Sequence, residues 1–252
     1  MKQLIFISLL IGLYACSSEP ITPELDETVL ADYLELNNDR VLSDLVACAG
    51  GAPGGLLESA AEPTDVFFYP IEGATDFRYF EAEDVADSLN FTQYREKELS
   101  NEPIFNGYLW KYNNVPFPGE RMAVVTFKTP GRIHACTPIR MKTNVKPTEN
   151  RPELGQVIEN GVTPSFIWED GSIPENVIYF QIISDEDENF ISGTYTIDKN
   201  FTFYDLENVV FNITDTTTVP TLLPDRPYTF TFMGVSEDNW VNLYFEHEFR
   251  TD

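Results

Sequence analysis

Residues 222–232 read Leu-Leu-Pro-Asp-Arg-Pro-Tyr-Thr-Phe-Thr-Phe. Proline fixes one backbone angle and is frequent in turns, so the first half of this stretch predicts a turn. In the second half Tyr228, Phe230 and Phe232 alternate with threonine, and a period of two places the three rings on one face of a β-strand. The stretch therefore predicts a strand with one buried face, as in an antiparallel sheet.

The same alternation recurs on both sides of this strand. It groups apolar side chains by strand face in three further sets, which are Phe166 with Trp168, Ile178 with Phe180 and Ile182, and Leu243 with Phe245 and Phe249. Strands of this kind, separated by turns, can enclose one interior between two sheets. We therefore predict that residues 158–252 form a β-sandwich.

The turn and strand at residues 222–228 also resemble a known family. Leu222, Pro224 and Tyr228 match the Leu-x-Pro-x-x-x-Tyr run of fibronectin type III domains, in which the tyrosine closes a tyrosine corner. Trp168 stands near the start of the module, as the core tryptophan of that family does. The resemblance implies an immunoglobulin-like sandwich that serves as a spacer or binding scaffold and carries no chemistry of its own.

A first module, mainly β with short helices, is predicted in residues 25–142. Apolar residues at three- and four-residue spacing predict two helices within residues 25–49, and the second helix contains Val41, Leu42, Leu45 and Val46. Beyond them, alternating residues predict strands at 66–71, 77–81, 106–112, 122–128 and 132–141. We expect an antiparallel sheet or sandwich here, joined to the C-terminal module by a proline-containing linker at 143–157.

The N-terminus predicts export and a lipid anchor. Lys2 precedes an apolar run at residues 4–14, which is shorter than the about 20 residues that cross a bilayer as a helix. The run ends in Leu13-Tyr14-Ala15-Cys16, which resembles the lipobox of bacterial lipoproteins. That resemblance implies a signal peptide at 1–15, a lipid on Cys16, which becomes the mature N-terminus, and a spacer at 16–24.

The residues after the cysteine and the overall charge bear on location and partners. Ser17 resembles the signal for sorting to the outer membrane, and the whole chain resembles two-module surface lipoproteins of Bacteroidota, which implies a lipid-anchored outer-membrane protein on the periplasmic or the cell-surface side. The chain has 41 acidic and 16 basic residues and a net charge of −25, which excludes nucleic acid as a partner. The expected partners are the membrane, reached through the lipid, and a protein or a glycan.

The remaining cysteines, Cys48 and Cys136, predict a structural cross-link. In an oxidising compartment the simplest outcome is a disulfide between them. An alternative is zinc binding by the two cysteines and His134, because His134 and Cys136 share a strand face. A further alternative is a pair of free thiols.

Two kinds of ligand site are suggested by the remaining residues. Trp240, in a polar turn, and Trp110, on the strand at 106–112, are candidates for an aromatic platform that binds a sugar ring or a partner protein. Asp185 and Asp187 belong to an acidic loop whose oxygen atoms are of the type that calcium prefers, although such a loop can equally be a solvated turn. No other metal or cofactor is expected.

Catalysis has little support in the sequence. It contains no Gly-x-Ser-x-Gly, no His-Glu-x-x-His and no phosphate-binding loop, and it has only two histidines. The sequence therefore predicts a non-enzymatic cell-envelope lipoprotein that acts as a binding module or as a scaffold or accessory subunit. The alternatives are a carbohydrate-binding component of a glycan-uptake system and a hydrolase of an unfamiliar type.

Overall fold

A computed structural model describes residues 24–51, 64–113, 115–116, 119–158, 160–215 and 217–252. The predicted signal peptide, the lipidated Cys16 and the spacer up to residue 23 lie outside these residues. Within the described part of the chain, no helix is both long and apolar enough to cross a membrane. The fold is mainly β, as the alternation in the sequence predicts.

Within the described residues, the first half of the chain contains one short α-helix and ten strands, and the second half contains nine strands. In chain order the first half comprises α1 (Leu30–Glu35), β1 (Val41–Leu45), β2 (Ala47–Gly50), β3 (Asp65–Phe68), β4 (Thr75–Ala82), β5 (Arg95–Glu96), β6 (Asn101–Ile104), β7 (Leu109–Tyr112), β8 (Arg121–Thr129), β9 (Arg132–Cys136) and β10 (Ile139–Met141). The second half comprises β11 (Glu149–Asn150), β12 (Gly155–Ile158), β13 (Ser165–Trp168), β14 (Asn176–Asp185), β15 (Phe190–Thr196), β16 (Asn200–Thr202), β17 (Val209–Asn212), β18 (Pro227–Ser236) and β19 (Val241–Arg250). Short 3₁₀ helices occur at Phe91–Gln93, Phe105–Gly107 and Pro152–Leu154.

The strands form four sheets, two in each module. Sheet 1 has the order β1-β9-β8-β4-β5, with β10 also paired to β8, and sheet 2 has the order β2-β3-β7-β6. Sheet 3 has the order β11-β19-β18-β14-β15-β17, and sheet 4 has the order β12-β13-β16. Neighbouring strands in each sheet pair antiparallel, except that β1 runs parallel to β9 and β11 runs parallel to β19.

Sheet 2 lies between sheet 1 and sheet 3, and its two faces contribute to two different cores. On β3, Phe68 belongs to the core shared with sheet 1, whereas the preceding residue Phe67 belongs to the core shared with sheet 3. On the sheet 1 side, the ring of Tyr79 in β4 lies 5.3 Å from the ring of Tyr112 in β7. Because both faces of β3 are covered, all four of its residues are buried.

The helix α1 covers the other face of sheet 1. Its Tyr33 ring lies 5.7 Å from the ring of Phe80 in β4, and Leu30 is fully buried in the same core. The first predicted helix is therefore confirmed as a short helix. The second predicted helix is wrong, because residues 41–45 and 47–50 are strands.

The backbone of residues 41–45 is paired with a distant strand. Val41 pairs with Ile133 and Leu45 pairs with Cys136, both on β9, in parallel register. The apolar spacing of a five-residue segment fits a helix and a strand equally well, and here the hydrogen-bonding groups at the edge of β9 decided between them.

Sheets 3 and 4 enclose an aromatic core, as predicted for residues 158–252. The ring of Phe166 on β13 stacks on Phe230 of β18 at 4.0 Å, and Phe232 of β18 stacks on Phe245 of β19 at 4.4 Å. The sandwich prediction is confirmed for these strands.

The apolar residues of strand β14 do not face the side that the sequence predicts. Phe180 and Ile182 share a face, as predicted, but that face packs against sheet 2. The sandwich interior receives Tyr179 and Ile183 instead. The face predicted to line the sandwich therefore lines the boundary between the modules, and β14 is buried on both sides.

The corner before β18 has the hydrogen bond that its sequence predicts. The backbone N–H of Leu223 donates to the hydroxyl oxygen of Tyr228 at 2.8 Å. The hydroxyl of Thr251 donates to the carbonyl oxygen of Leu223 at 2.6 Å. The turn at Leu223 is thus tied both to the start of β18 and to the C-terminal end of the chain.

The segment predicted as a linker, residues 143–157, is largely part of the fold. It contains β11, which pairs with β19, and most of β12, which is the first strand of sheet 4. The backbone N–H of Thr148 donates to the carbonyl oxygen of Gly51 at 2.7 Å. A segment without an apolar pattern can still form edge strands, because their backbone hydrogen bonds do not depend on side-chain type.

Candidate functional site

The two modules meet where the turn between β18 and β19 enters the N-terminal module. Trp240 in this turn is fully buried in the core of sheets 1 and 2. The backbone N–H of Ala49 donates to the carbonyl oxygen of Asn239 at 3.0 Å, and that of Arg140 donates to the carbonyl oxygen of Asp238 at 2.9 Å. The ammonium of Lys142 lies 2.9 Å from the Asp238 carboxylate. The turn is therefore an integral part of both modules.

The burial of Trp240 overturns its prediction as an exposed ligand platform. The neighbouring residues Glu237, Asp238 and Asn239 are polar, which suggested a solvated turn. In the structure the side chains of Asp238 and Asn239 bond to the N-terminal module, and the indole ring that follows them fills its core. The turn is polar because it forms an interface rich in hydrogen bonds.

A pocket of about 260 Å³ lies at this boundary, and we call it the junction pocket. Both modules line it. The lining includes Val46, Cys48 and Phe67 from the N-terminal module, and Phe180, Tyr195 and Met233 from the C-terminal module. The Phe180 and Tyr195 rings stack on each other at 4.3 Å, so their orientation is held by packing. The pocket is larger than the ~150 Å³ apolar cavity known to take up benzene.

The junction pocket is almost entirely apolar. Among the described residues that line it there is no Asp, Glu, Lys, Arg or His. Its polar groups are the hydroxyls of Tyr69 and Tyr195, the amide of Asn239 and the thiol of Cys48. Burial raises the pKa of Tyr195, so its hydroxyl stays neutral over the physiological range. The site therefore suits an uncharged apolar group and is unfavourable for an ion, which would lose its hydration there.

Cys48 and Cys136 are free thiols, which overturns the predicted disulfide. Cys48 faces the junction pocket, whereas Cys136 belongs to the core of sheets 1 and 2, where its sulfur accepts a hydrogen bond from the Val125 N–H at 3.2 Å. Burial raises the pKa of Cys48 to about 12, with a further contribution from Cys136, and burial raises the pKa of Cys136 to about 12. Both thiols are therefore protonated and weakly nucleophilic at physiological pH.

His134 is engaged by protein groups at both ring nitrogens. Its Nδ1 lies 2.8 Å from the Asp44 carboxylate, and its Nε2 lies 2.9 Å from the hydroxyl of Thr129. Its ring also stacks on Phe127 at 4.8 Å. Within the described ranges, no group of three or more His, Cys, Asp and Glu side chains is placed to hold a metal ion. The zinc alternative, which needed both nitrogen and sulfur ligands from this region, has no support in this geometry.

The acidic loop after β14 is organised by its first residue. One carboxylate oxygen of Asp185 accepts hydrogen bonds from the backbone N–H groups of Asp187 and Asn189, at 3.0 and 2.9 Å. The other oxygen accepts a hydrogen bond from the side-chain amide of Asn189 at 3.0 Å. Asp185 thus caps the turn, and calcium binding with Asp187 stays a prediction of the sequence.

Trp110 is half-buried and lines a second, open site on the N-terminal module. Its ring lies 4.8 Å from the ring of Phe77, and both rings line a groove of about 400 Å³ together with Tyr69 and Tyr108. We call this site the aromatic groove. Of the two tryptophans predicted as platforms, Trp110 is therefore the one that is accessible. Tyr69 lines both the aromatic groove and the junction pocket, so the two sites are neighbours.

The junction pocket was missed because its lining comes from strands far apart in sequence. A signal for it exists in the unbroken apolar run at residues 66–69, which indicates a strand covered on both faces. That run shows that a second layer packs on β3, but it does not say which strands form the layer.

Comparison with models of known protein families found none that matches this chain. Comparison with curated proteins found no significant match either.

Proposed function

We propose that this chain is a lipid-anchored, non-enzymatic binding protein of the cell envelope, and that the junction pocket binds a small, uncharged, apolar ligand. The observation that carries the proposal is the pocket itself, which lies between two modules that share a core and which has no charged residue in its described lining. Pockets of this kind, mainly apolar with a few fixed polar groups, are the usual form of small-molecule sites.

The size and chemistry of the pocket define the ligand class. A volume of about 260 Å³ accommodates one aromatic ring with substituents or a short alkyl group. The hydroxyl of Tyr195 and the amide of Asn239 can each form a hydrogen bond with one neutral polar group on such a ligand.

We infer further that the C-terminal sandwich is of the fibronectin type III kind. Two features support this inference: the strand order β12-β13-β16 opposite β19-β18-β14-β15, and the hydrogen bond from Leu223 to the Tyr228 hydroxyl. In this protein the outer face of sheet 3 is covered by the N-terminal module. The sandwich would then serve as a scaffold that completes a binding site.

The binding proposal is tested with benzene and benzoate, which differ only by a charged group. We expect the full chain carrying Cys16→Ser, which removes any attached lipid, to bind benzene and not benzoate, as followed by nuclear magnetic resonance and by the shift of the thermal unfolding midpoint. A second pair of variants tests the location. Cys48→Phe fills the pocket and should abolish benzene binding, whereas Cys48→Ala should preserve it. Equal binding of benzene by both folded variants would contradict the proposal.

The anchor is tested separately, because it rests on residues 13–16 of the sequence. Cells fed labelled palmitate should incorporate the label into the wild-type chain and not into Cys16→Ser. The wild-type chain should also sediment with the outer membrane. A chain that carries no label and stays soluble would refute the anchor without affecting the pocket.

A further inference from the structure

The aromatic groove presents aromatic rings that are partly exposed to solvent. Tyr69, Phe77, Tyr108 and Trp110 all line it, and none of these four is fully buried. Trp168 and Trp240 are 4% and 0% exposed, so Trp110 is the most accessible of the three tryptophans. Aromatic rings grouped on a solvent-exposed surface indicate a recognition site, because large apolar side chains are otherwise mostly buried.

Neighbouring rings hold the aromatic side chains of the groove in place. Phe77 packs between Phe68 and Trp110, with ring centroids 5.5 and 4.8 Å away. Tyr108 stacks face to face on Phe190 of the C-terminal module at 3.9 Å, with an angle of 9° between the rings. A ligand that contacts these rings therefore has little side-chain motion to restrict, which favours binding.

Two exposed glycines, Gly73 and Gly107, also line the groove. Gly73 and Gly107 have φ angles of +82° and +86°, which glycine adopts readily and other residues adopt rarely. A side chain added at either position would meet no atom within 4 Å, so the absence of side chains there leaves free space. A compact group can thus approach the rings closely.

The charge of the groove is entirely negative. Glu72 and Asp215 line it, and among its described lining residues there is no Lys, Arg or His. Burial raises the pKa of Tyr69, and the neighbouring Tyr108 and Asp215 side chains raise it further. The chain as a whole carries a net charge of −25, so its long-range field attracts cations.

Aromatic faces and carboxylates together select one class of ligand. The face of an aromatic ring carries partial negative charge and attracts a cation placed within about 6 Å of its centre, most strongly for tryptophan. An alkylated ammonium is favoured over a bare ammonium, because its methyl groups contact the rings and it gives up less hydration. We propose that the aromatic groove binds a quaternary ammonium group, stacked on Trp110 and attracted by Glu72 and Asp215.

This site is distinct from the junction pocket in chemistry, and its test is independent of the proposed function. Choline and 3,3-dimethylbutan-1-ol have the same shape, but only choline is charged. A change in tryptophan fluorescence on adding ligand reports binding at Trp110, because the other two tryptophans are buried and out of reach of a ligand. We expect choline to bind about tenfold more tightly than its neutral analogue, as cation–π attraction implies, and added salt to weaken the binding.

Matched variants locate the site and identify the forces. Trp110→Leu, which keeps an apolar side chain and removes the indole, should reduce choline affinity by about fivefold or more. Glu72→Gln should reduce it about twofold, whereas Glu83→Gln, at an exposed position outside the groove, should leave it unchanged. Glu72→Gln keeps the test valid if Trp110→Leu fails to fold, because Glu72 is exposed.

Several outcomes would overturn the proposal. Equal affinity for choline and 3,3-dimethylbutan-1-ol would show that charge plays no part. Unchanged choline binding by folded Trp110→Leu would place the site elsewhere. Binding of cellobiose or maltose at this tryptophan, with none of choline, would assign the groove to neutral sugar rings instead.

Discussion

The indole N–H of Trp240 donates a hydrogen bond to the carbonyl oxygen of Lys146, with 2.8 Å between nitrogen and oxygen. Trp240 belongs to the turn that joins the last two strands of the C-terminal module, yet its ring is buried in the core of the N-terminal module. One residue thus links the two modules by packing, and its hydrogen bond fixes the ring against the segment that connects them. The contact lies beside the junction pocket, whose lining includes the adjacent residue Asn239.

Removal of this link should destabilise the whole protein. Trp240→Ala deletes a fully buried ring and should lower the free energy of unfolding by about 3–5 kcal/mol, as for other large-to-small changes in a core. Trp240→Phe keeps most of the packing and should cost less. Denaturant unfolding followed by circular dichroism measures both, with Val210→Ala on the exposed edge strand as a control. A cost below 1 kcal/mol for Trp240→Ala would argue against the buried position.

The two free thiols, of which Cys136 is buried and Cys48 partly buried, predict a distinct pattern of reactivity. In the folded chain carrying Cys16→Ser, Cys48 and Cys136 should react with a thiol reagent at pH 8 far more slowly than in the unfolded chain, because burial raises the pKa of both to about 12 and little thiolate is present. Unfolding in denaturant without a reductant should expose two reactive thiols per chain. A peptide pair linked through Cys48 and Cys136 in non-reducing mass spectrometry would contradict this result.

The tyrosine corner should contribute measurably to the stability of the sandwich. Tyr228→Phe leaves the Leu223 N–H without its acceptor and should lower the free energy of unfolding by about 1–2 kcal/mol. Tyr108→Phe is the matched control, since Tyr108 is only half-buried and loss of its hydroxyl should cost less. Thermal and denaturant unfolding compare the two. Equal effects of the two substitutions would show that the corner hydrogen bond adds no stability.

Asp170 should make the stability of the C-terminal module depend on pH. Its carboxylate accepts hydrogen bonds from Tyr179 at 2.8 Å, Asn176 at 3.1 Å and Lys199 at 2.5 Å. Burial raises the pKa of Asp170, but these bonds together outweigh burial and bring the pKa below its ordinary value of 3.8. Because the folded-state pKa is the lower one, the contribution is complete above the unfolded-state pKa and is lost as the pH falls through the folded-state pKa.

This pH dependence is measured by comparing the free energy of unfolding of Asp170→Asn with that of the wild type at several pH values. We expect the substitution to cost about 1–2 kcal/mol at pH 7, and the difference to shrink below pH 4 as the wild-type carboxyl becomes protonated. Asp198→Asn, at an exposed position of the same module, provides the control. A difference between Asp170→Asn and wild type that is independent of pH would show that the charge of Asp170 is not involved.

Local patterns were sufficient for most strands and insufficient for the sites. The alternation of Tyr228, Phe230 and Phe232 predicted β18 because strand geometry relates neighbouring residues directly. The prediction for Val41–Leu45 failed because five residues carry too little periodicity to separate a strand from a helix, and pairing with β9 decided the outcome. Trp110 was identified as a candidate platform from its strand, but apart from Gly107 and Tyr108 its partners in the groove come from other strands and loops.

The sequence by itself determined the β character of the chain, the alternating strands of the C-terminal sandwich and the tyrosine corner, because strand alternation and turn residues are local patterns. Tertiary structure alone decided that Trp240 is buried, that Cys48 and Cys136 lie in separate cores, and that Phe180 faces the other module. These outcomes depend on which sheet faces come together. Adjacent residues on a strand point in opposite directions, so packing between layers assigns each residue to a core, a pocket or the solvent.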